Sequence, residues 1–194
     1  MREMMVEQKD VFYYVTMMTE NYAQPDLIPG SELDIIRGCY KYRSLLPAYS
    51  LGKESKLPIK TARKVSLMGS GAILTEVIKA AEQLAAMGIH VTVFSVTSWS
   101  ELARDAAAKT DGAMSFISQQ LHASEGPIIV ATDYVRAVPE SIRAYLPVGR
   151  SYTTLGTDGF GRSYTRAALR AFFNVDAASI VKAALHQLNQ PKVT

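Results

Sequence analysis

Short apolar runs alternate with longer amphipathic stretches along this chain, and from Lys64 onward the alternation is regular. Val65–Met68, His90–Val96, Ile128–Ala131 and Tyr152–Leu155 are apolar, largely β-branched runs of strand length, as expected for strands buried on both faces. Helical patterns separate them. One follows Gly69-Ser70-Gly71 and runs to about Met87, with Ile73, Val77, Ala80, Ala81 and Leu84 as its apolar stripe. Glu76, Lys79 and Gln83 are expected to point outward from it, and Gly88 stands where a left-handed cap ends a helix. Ser98 with Glu101 forms a capping box opening a helix toward Lys109. Met114–His122 reads as another helix, and Pro139 marks the first turn of one running to Tyr145. Tyr164–Phe173 is helical, with Ser163 as its cap, and Asp176 caps a last helix with Ile180, Ala184, Leu185 and Leu188 on one face. Strands alternating with helices require right-handed crossovers and a largely parallel sheet covered on both faces. The pattern therefore predicts a doubly wound α/β domain over roughly residues 40–190.

The first forty residues do not share that alternation. Val11–Met17 is aromatic and β-branched and reads as a buried strand. Pro25, Pro29 and Gly30 make a linker of Asn21–Gly30. Ser31–Arg37 reads as a short helix, capped by Ser31 with Asp34 in its first turn. Tyr40–Leu45 is a candidate strand of unspecified direction, and Pro47–Pro58 is a polar, breaker-rich linker or exposed loop.

Composition narrows the function classes. A length of 194 residues suits one domain, or one domain and a piece of another, and 48% hydrophobic residues are ample for a core. The net charge of +3 comes from 21 basic and 18 acidic residues interspersed along the chain. No concentrated basic patch points to a nucleic-acid partner. The charged N-terminus does not read as a signal peptide, and no apolar run approaches the ~18 residues of a membrane span. The single cysteine, Cys39, excludes an internal disulfide framework and fits a reducing compartment, so a cytoplasmic location is expected.

The densest candidate chemistry is Gly156-Thr157-Asp158-Gly159-Phe160-Gly161-Arg162-Ser163, a strand-to-helix loop. As a site, its amides would cradle an anion. As an interface, its glycines would admit a neighbouring domain, with Phe160 as anchor and Arg162 as an ion-pair donor. No general base or nucleophile stands beside it, which favours the interface. Gly69-Ser70-Gly71 invites a dinucleotide reading, but Leu74 occupies the third glycine position of G-x-G-x-x-G and no acidic residue ends the next strand. A plain turn is the preferred reading, with Ser70 and Gly71 as candidates for weak anion capture. His90, His122 and His186 lack partners at metal-ligand spacing, and Ser66, Ser70 and Ser95 lack a G-x-S-x-G elbow. Asp133 follows a strand and is expected to close the next turn.

Six segments together carry a resemblance. They are Asp10–Thr16, Asn21-Tyr22, Leu67–Leu74, Ser95–Asp105, Ala131–Tyr134 and Leu155–Ser163. In these, in order and spacing, the chain resembles the C-terminal part of the homodimeric pyruvate dehydrogenase decarboxylating component, in the thiamine-diphosphate-dependent, transketolase-like superfamily. The resemblance implies a transketolase C-terminal domain over residues 40–194. Its three-layer α/β fold has a five-stranded mixed sheet, mostly parallel, with helices on both faces and the first strand, Tyr40–Leu45, antiparallel to the rest. Residues 1–20 would be the last strand of a preceding pyrimidine-binding domain, and 21–39 a linker with a short helix. The chain would then be a fragment of an oxidoreductase that decarboxylates pyruvate and passes acetyl groups to a dihydrolipoyl acetyltransferase component. Its partners would be the rest of the parent chain and a second copy. The parent's Gly-Asp-Gly motif for thiamine diphosphate and Mg²⁺ is absent here, and no family catalytic residue maps onto these positions. The isolated chain is expected to bind neither group and to be inactive. The alternative from the residues alone is a free-standing anion- or nucleotide-binding regulatory module built on the Gly69–Gly71 turn.

Overall fold

The computed structural model of the chain describes residues 2–15, 21–23, 25–47, 63–109 and 113–190. Five strands form one sheet: β1 (Cys39–Leu45), β2 (Lys64–Ser70), β3 (His90–Val96), β4 (Ile128–Ala131) and β5 (Tyr152–Leu155). Their spatial order is β1-β3-β2-β4-β5. β1 runs antiparallel to β3, with an irregularity between Lys41 and Arg43, and every other pairing is parallel. The mixed sheet with an antiparallel first strand is the one the resemblance implied.

Side chains along each strand alternate between two cores, as the period of a strand requires. Val65, Leu67, Val91, Val93, Ile129 and Ala131 face α3 (Leu74–Ala86) and α8 (Ala177–Asn189), where they meet Val77, Ala80, Leu84, Ile180 and Ala184. Met68, Phe94, Val96, Ile128 and Val130 face the opposite layer. That layer holds Trp99 and Leu102 of α4 (Trp99–Ala107), Phe116, Ile117 and Leu121 of α5 (Phe116–His122), and Ile142. Both faces are apolar, so β4 is buried throughout and cannot read as an alternating pattern.

The helix signals are largely realised. Ser98 Oγ accepts the Glu101 amide at 3.2 Å, Asp176 Oδ1 accepts the Ser179 amide at 3.1 Å, and Gly88 has φ +84°. α5 begins at Phe116 rather than Met114, because Ser115 Oγ caps it by accepting the Ser118 amide.

Several expectations are corrected. Glu76 does not point outward. Its carboxylate is buried and accepts from Ala177 N–H at 3.1 Å, Arg170 Nη1 at 3.1 Å and Lys79 Nζ at 3.0 Å. It thus ties α3 to the start of α8 and to α7 (Arg166–Phe172). Ser31 precedes α2 (Glu32–Ile36) but offers it no side-chain cap, since its hydroxyl donates back to the Ile28 carbonyl. Thr165, not Ser163, caps α7 by accepting the Ala168 amide. The expected Pro139–Tyr145 helix is split into α6 (Ala137–Glu140) and a 3-10 turn, Arg143–Tyr145. Val11–Val15 forms no strand, and Phe12 and Tyr14 are each 88% exposed. β-forming side chains make a strand only where a neighbour completes the ladder, and none lies beside this segment among the described residues. Thr16 and Met17, like the loop at 48–58, lie outside those residues. An exposed helical turn, α1 (Arg2–Met5), precedes the segment.

Candidate functional site: a cavity at the switch point of the sheet

From β2 the chain crosses to β3 on one side, then returns past β2 to place β4 on the other. The reversal opens a crevice at the carboxyl ends of β2 and β4, where ligands of open α/β sheets bind. A cavity of about 390 Å³ lies there. Ala72 and Ile73 border it from the 3-10 turn after β2, Asp133 from the loop after β4, and Thr157, Gly161 and Arg162 from the loop after β5. Arg166, Leu169 and Arg170 close it from α7.

The two loops are stitched together. Thr157 N–H donates to the Tyr134 carbonyl at 3.0 Å, and its hydroxyl donates to the Asp133 carbonyl at 2.6 Å. Asp158 reaches across to Arg136, accepting its amide at 2.8 Å and its Nε at 2.5 Å. These bonds hold the Asp158 carboxyl below the usual carboxylate range, the backbone amide of Arg136 first among the causes. Asp158 thus closes the gap between two loops. Gly156 sits at that seam, where a Cβ would stand 2.7 Å from the Tyr134 carbonyl oxygen. Gly159 has φ +90°, a conformation that L side chains avoid.

Asp133 follows β4 and borders the cavity. Its carboxylate is half-buried on the cavity wall, facing Gly71. Burial pushes its pKa up, while a hydrogen bond from its own backbone amide and, after it, Arg170 pull the other way. Arg162, Arg166 and Arg170 border the same cavity. Arg170 donates to Glu76 Oε1 at 3.1 Å and to Tyr22 Oη at 3.0 Å, so the linker tyrosine packs onto the same cation. Arg162 lies 4.3 Å from the centroid of the Phe172 ring, and Arg166 precedes Arg170 by one helical turn.

Of the residues singled out in the sequence, Thr157, Gly161 and Arg162 line the cavity. Phe160 is 95% exposed and stands away from it. Ser70 is buried, its hydroxyl within 2.7 Å of Thr132 Oγ1, and Gly71 has φ +55° beneath the Asp133 carboxylate. His90, His122 and His186 do not converge, and among the described residues no group of three His, Cys, Asp or Glu is placed to hold a metal ion. The Cys39 thiol is fully buried and its pKa is raised by that burial. The sequence reading missed Arg166 and Arg170, although the four-residue spacing of Arg162, Arg166 and Arg170 was a visible signal.

Comparisons with known proteins place this geometry in a family. Residues 48–176 match the model of the transketolase-like TK C-terminal domain. The chain is 42% identical, over 96% of its length, to the pyruvate dehydrogenase E1 component of Pseudomonas aeruginosa, and covers 21% of that protein. With the E1 component of Cupriavidus necator it shares 40% identity over 97% of the chain and 21% of the relative. It therefore spans about a fifth of the length of these relatives. Its fold superimposes on a transketolase from Leishmania mexicana with a TM-score of 0.53 at 18% identity, covering 86% of this chain and 21% of that one. A transketolase from Campylobacter jejuni gives 0.50 at 18% identity over 77% of this chain and 18% of the other. The chain belongs to the transketolase-like TK C-terminal domain family.

Proposed function

We propose that this chain serves as the C-terminal domain of a cytoplasmic pyruvate dehydrogenase E1 component, supplying scaffold and assembly contacts rather than reacting groups. The observation that carries the reading is 40% identity to an E1 component sustained over 97% of the chain. The parent activity would be oxidative decarboxylation of pyruvate with thiamine diphosphate and Mg²⁺, working beside a dihydrolipoyl acetyltransferase component. The loop at 156–163 would be a contact to the rest of the parent or to a second copy. Bonded to the β4 loop through Thr157 and Asp158, it is held firmly while Phe160 stands free in solvent. A large exposed aromatic on a fixed loop is suited to anchoring a neighbour.

The residues present do not fit thiamine diphosphate with its metal. Mg²⁺ takes a near-octahedral set of oxygen ligands, commonly carboxylates, waters and phosphates. The cavity offers the single carboxylate of Asp133 against Arg162, Arg166 and Arg170. Calorimetric titration of the 194-residue chain with thiamine diphosphate and Mg²⁺ tests the reading. No saturable heat is expected, and micromolar binding at one site would contradict it.

A further inference from the structure

We propose that α7 carries a preformed seat for the linker, and that Tyr22, docked on Arg170, latches residues 21–23 to the carboxyl edge of the sheet and keeps the exposed segment Val11–Val15 within reach of α7. This inference does not rest on the parent enzyme. It rests on the polar chain that runs from Tyr22 through Arg170 into the core.

The seat is built from the inside outward. Glu76 is buried in the first turn of α3, and its Oε2 accepts the Ala177 amide that opens α8. Its Oε1 accepts from Arg170 Nη1 at 3.1 Å and from Lys79 Nζ at 3.0 Å. With both carboxylate oxygens engaged, Glu76 fixes the Arg170 guanidinium whether or not the linker is docked. Arg170 Nη2 then donates to Tyr22 Oη at 3.0 Å, and the guanidinium carbon lies 5.9 Å from the Tyr22 ring centroid. A charge-assisted bond to a donor already in place loses little freedom on forming.

What the latch controls is reach. Val15 lies seven residues before Tyr22 and sixteen before Ser31, which is buried at the start of α2. A fully extended chain covers at most about 25 Å in seven residues and about 58 Å in sixteen. Anchoring at Tyr22 rather than at Ser31 therefore shrinks the volume open to the segment about twelvefold, and centres it on α7 instead of α2. The segment is itself organised for presentation. Lys9 Nζ, at 2.9 Å, and the Tyr13 hydroxyl both donate to the Glu3 carboxylate of α1, and Phe12 and Tyr14 stay exposed. The latch holds that aromatic face near a second one, since Phe160, Tyr164 and Phe172 stand exposed on the loop and helix around the seat.

The test places a nitroxide spin label on Val15→Cys and reads paramagnetic broadening of the amide signals of the full ¹⁵N-labelled chain. The native Cys39 thiol is buried and does not compete for the label. Broadening is expected to concentrate on Arg166–Phe172 and the loop at 156–163. Tyr22→Phe should shift the latch about tenfold toward open, the factor of one hydrogen bond, and weaken that broadening. Tyr22→Ala should spread it over the domain surface. Tyr22 belongs to neither core, so both variants leave the domain folded. Arg170→Met should reproduce Tyr22→Ala, and combining the two should add nothing. Spin-labelled ¹⁴N chain mixed with unlabelled ¹⁵N chain should give no broadening at α7. Broadening that never concentrates at α7, that survives Tyr22→Ala unchanged, or that passes between chains would overturn the proposal.

Discussion

Arg150 shows how much a single residue can carry in this fold. Its guanidinium donates to the carbonyls of Gly126, Leu121 and Ser124 and to the hydroxyls of Ser66 and Ser124, at 2.7–3.1 Å. It joins β2 to the turns that precede β4 and β5. Burial lowers its pKa to about 10, with Glu125 opposing, so it stays charged at neutral pH. Arg150→Met should cost about 3 kcal/mol in urea unfolding, because a buried set of acceptors is left unpaired. A loss below about 0.5 kcal/mol, the range of ordinary surface substitutions, would show that water replaces the cation without penalty. Arg150 was not legible in the sequence, since an arginine directly after a Val-Gly turn reads as solvated. Short-range chemistry was legible: the caps at Ser98 and Asp176 and the terminator Gly88 are local events with fixed offsets. Glu76 escaped for the reason Arg150 did, as its partners Arg170 and Ala177 lie ninety or more residues away. His90 gives a pH-dependent counterpart. Both ring nitrogens are shielded without a partner, and burial first, then Lys64 and Lys41, lower its pKa against a smaller opposing effect of Glu125. The unfolded chain therefore takes up this proton first as pH falls. The stability due to neutral His90 is complete above the unfolded value of about 6.5 and declines below it. A series of melting temperatures should show that decline, and His90→Phe should flatten it.

At the scale of elements, the sheet was readable because each parallel strand is a short apolar run between helical stripes. The direction of β1 was not, since a strand seven residues long carries no mark of its orientation, and the resemblance supplied it. The segment Val11–Val15 marks the limit of propensity: the side chains favour a strand, yet no ladder forms. The loop at 156–163 was legible as a site of unusual backbone, but not as one half of a pair. Its partner, the loop from Asp133 to Arg136, lies more than twenty residues earlier. Its glycines therefore divide by role. Gly159→Val should destabilise the chain by about 2 kcal/mol through its positive φ. Phe160→Ala, at a side chain 95% exposed, should change stability by less than about 0.5 kcal/mol. Thermal unfolding of the two variants checks both, and equal effects would contradict the division of labour along the loop.

The whole molecule is a layered platform. One core binds α3 and α8 to the sheet and the other binds α4 and α5, and the carboxyl edge between them carries the cavity, the arginines and the exposed Phe160. The polar groups gathered there suit positioning and contact; none forms a nucleophile–base pair among the described residues. On the role proposed for it, this chain can replace the matching fifth of an E1 component. The most direct measurement grafts its 194 residues in place of the corresponding segment of the Pseudomonas aeruginosa E1 component, with which it is 42% identical, and assays pyruvate decarboxylation together with the mass of the assembly in solution. The account predicts a dimer that decarboxylates pyruvate at a rate within about tenfold of the parent, a shift of about 1.4 kcal/mol in the barrier. A folded hybrid that stays monomeric, or a dimer that binds thiamine diphosphate normally yet fails to turn over, would contradict it.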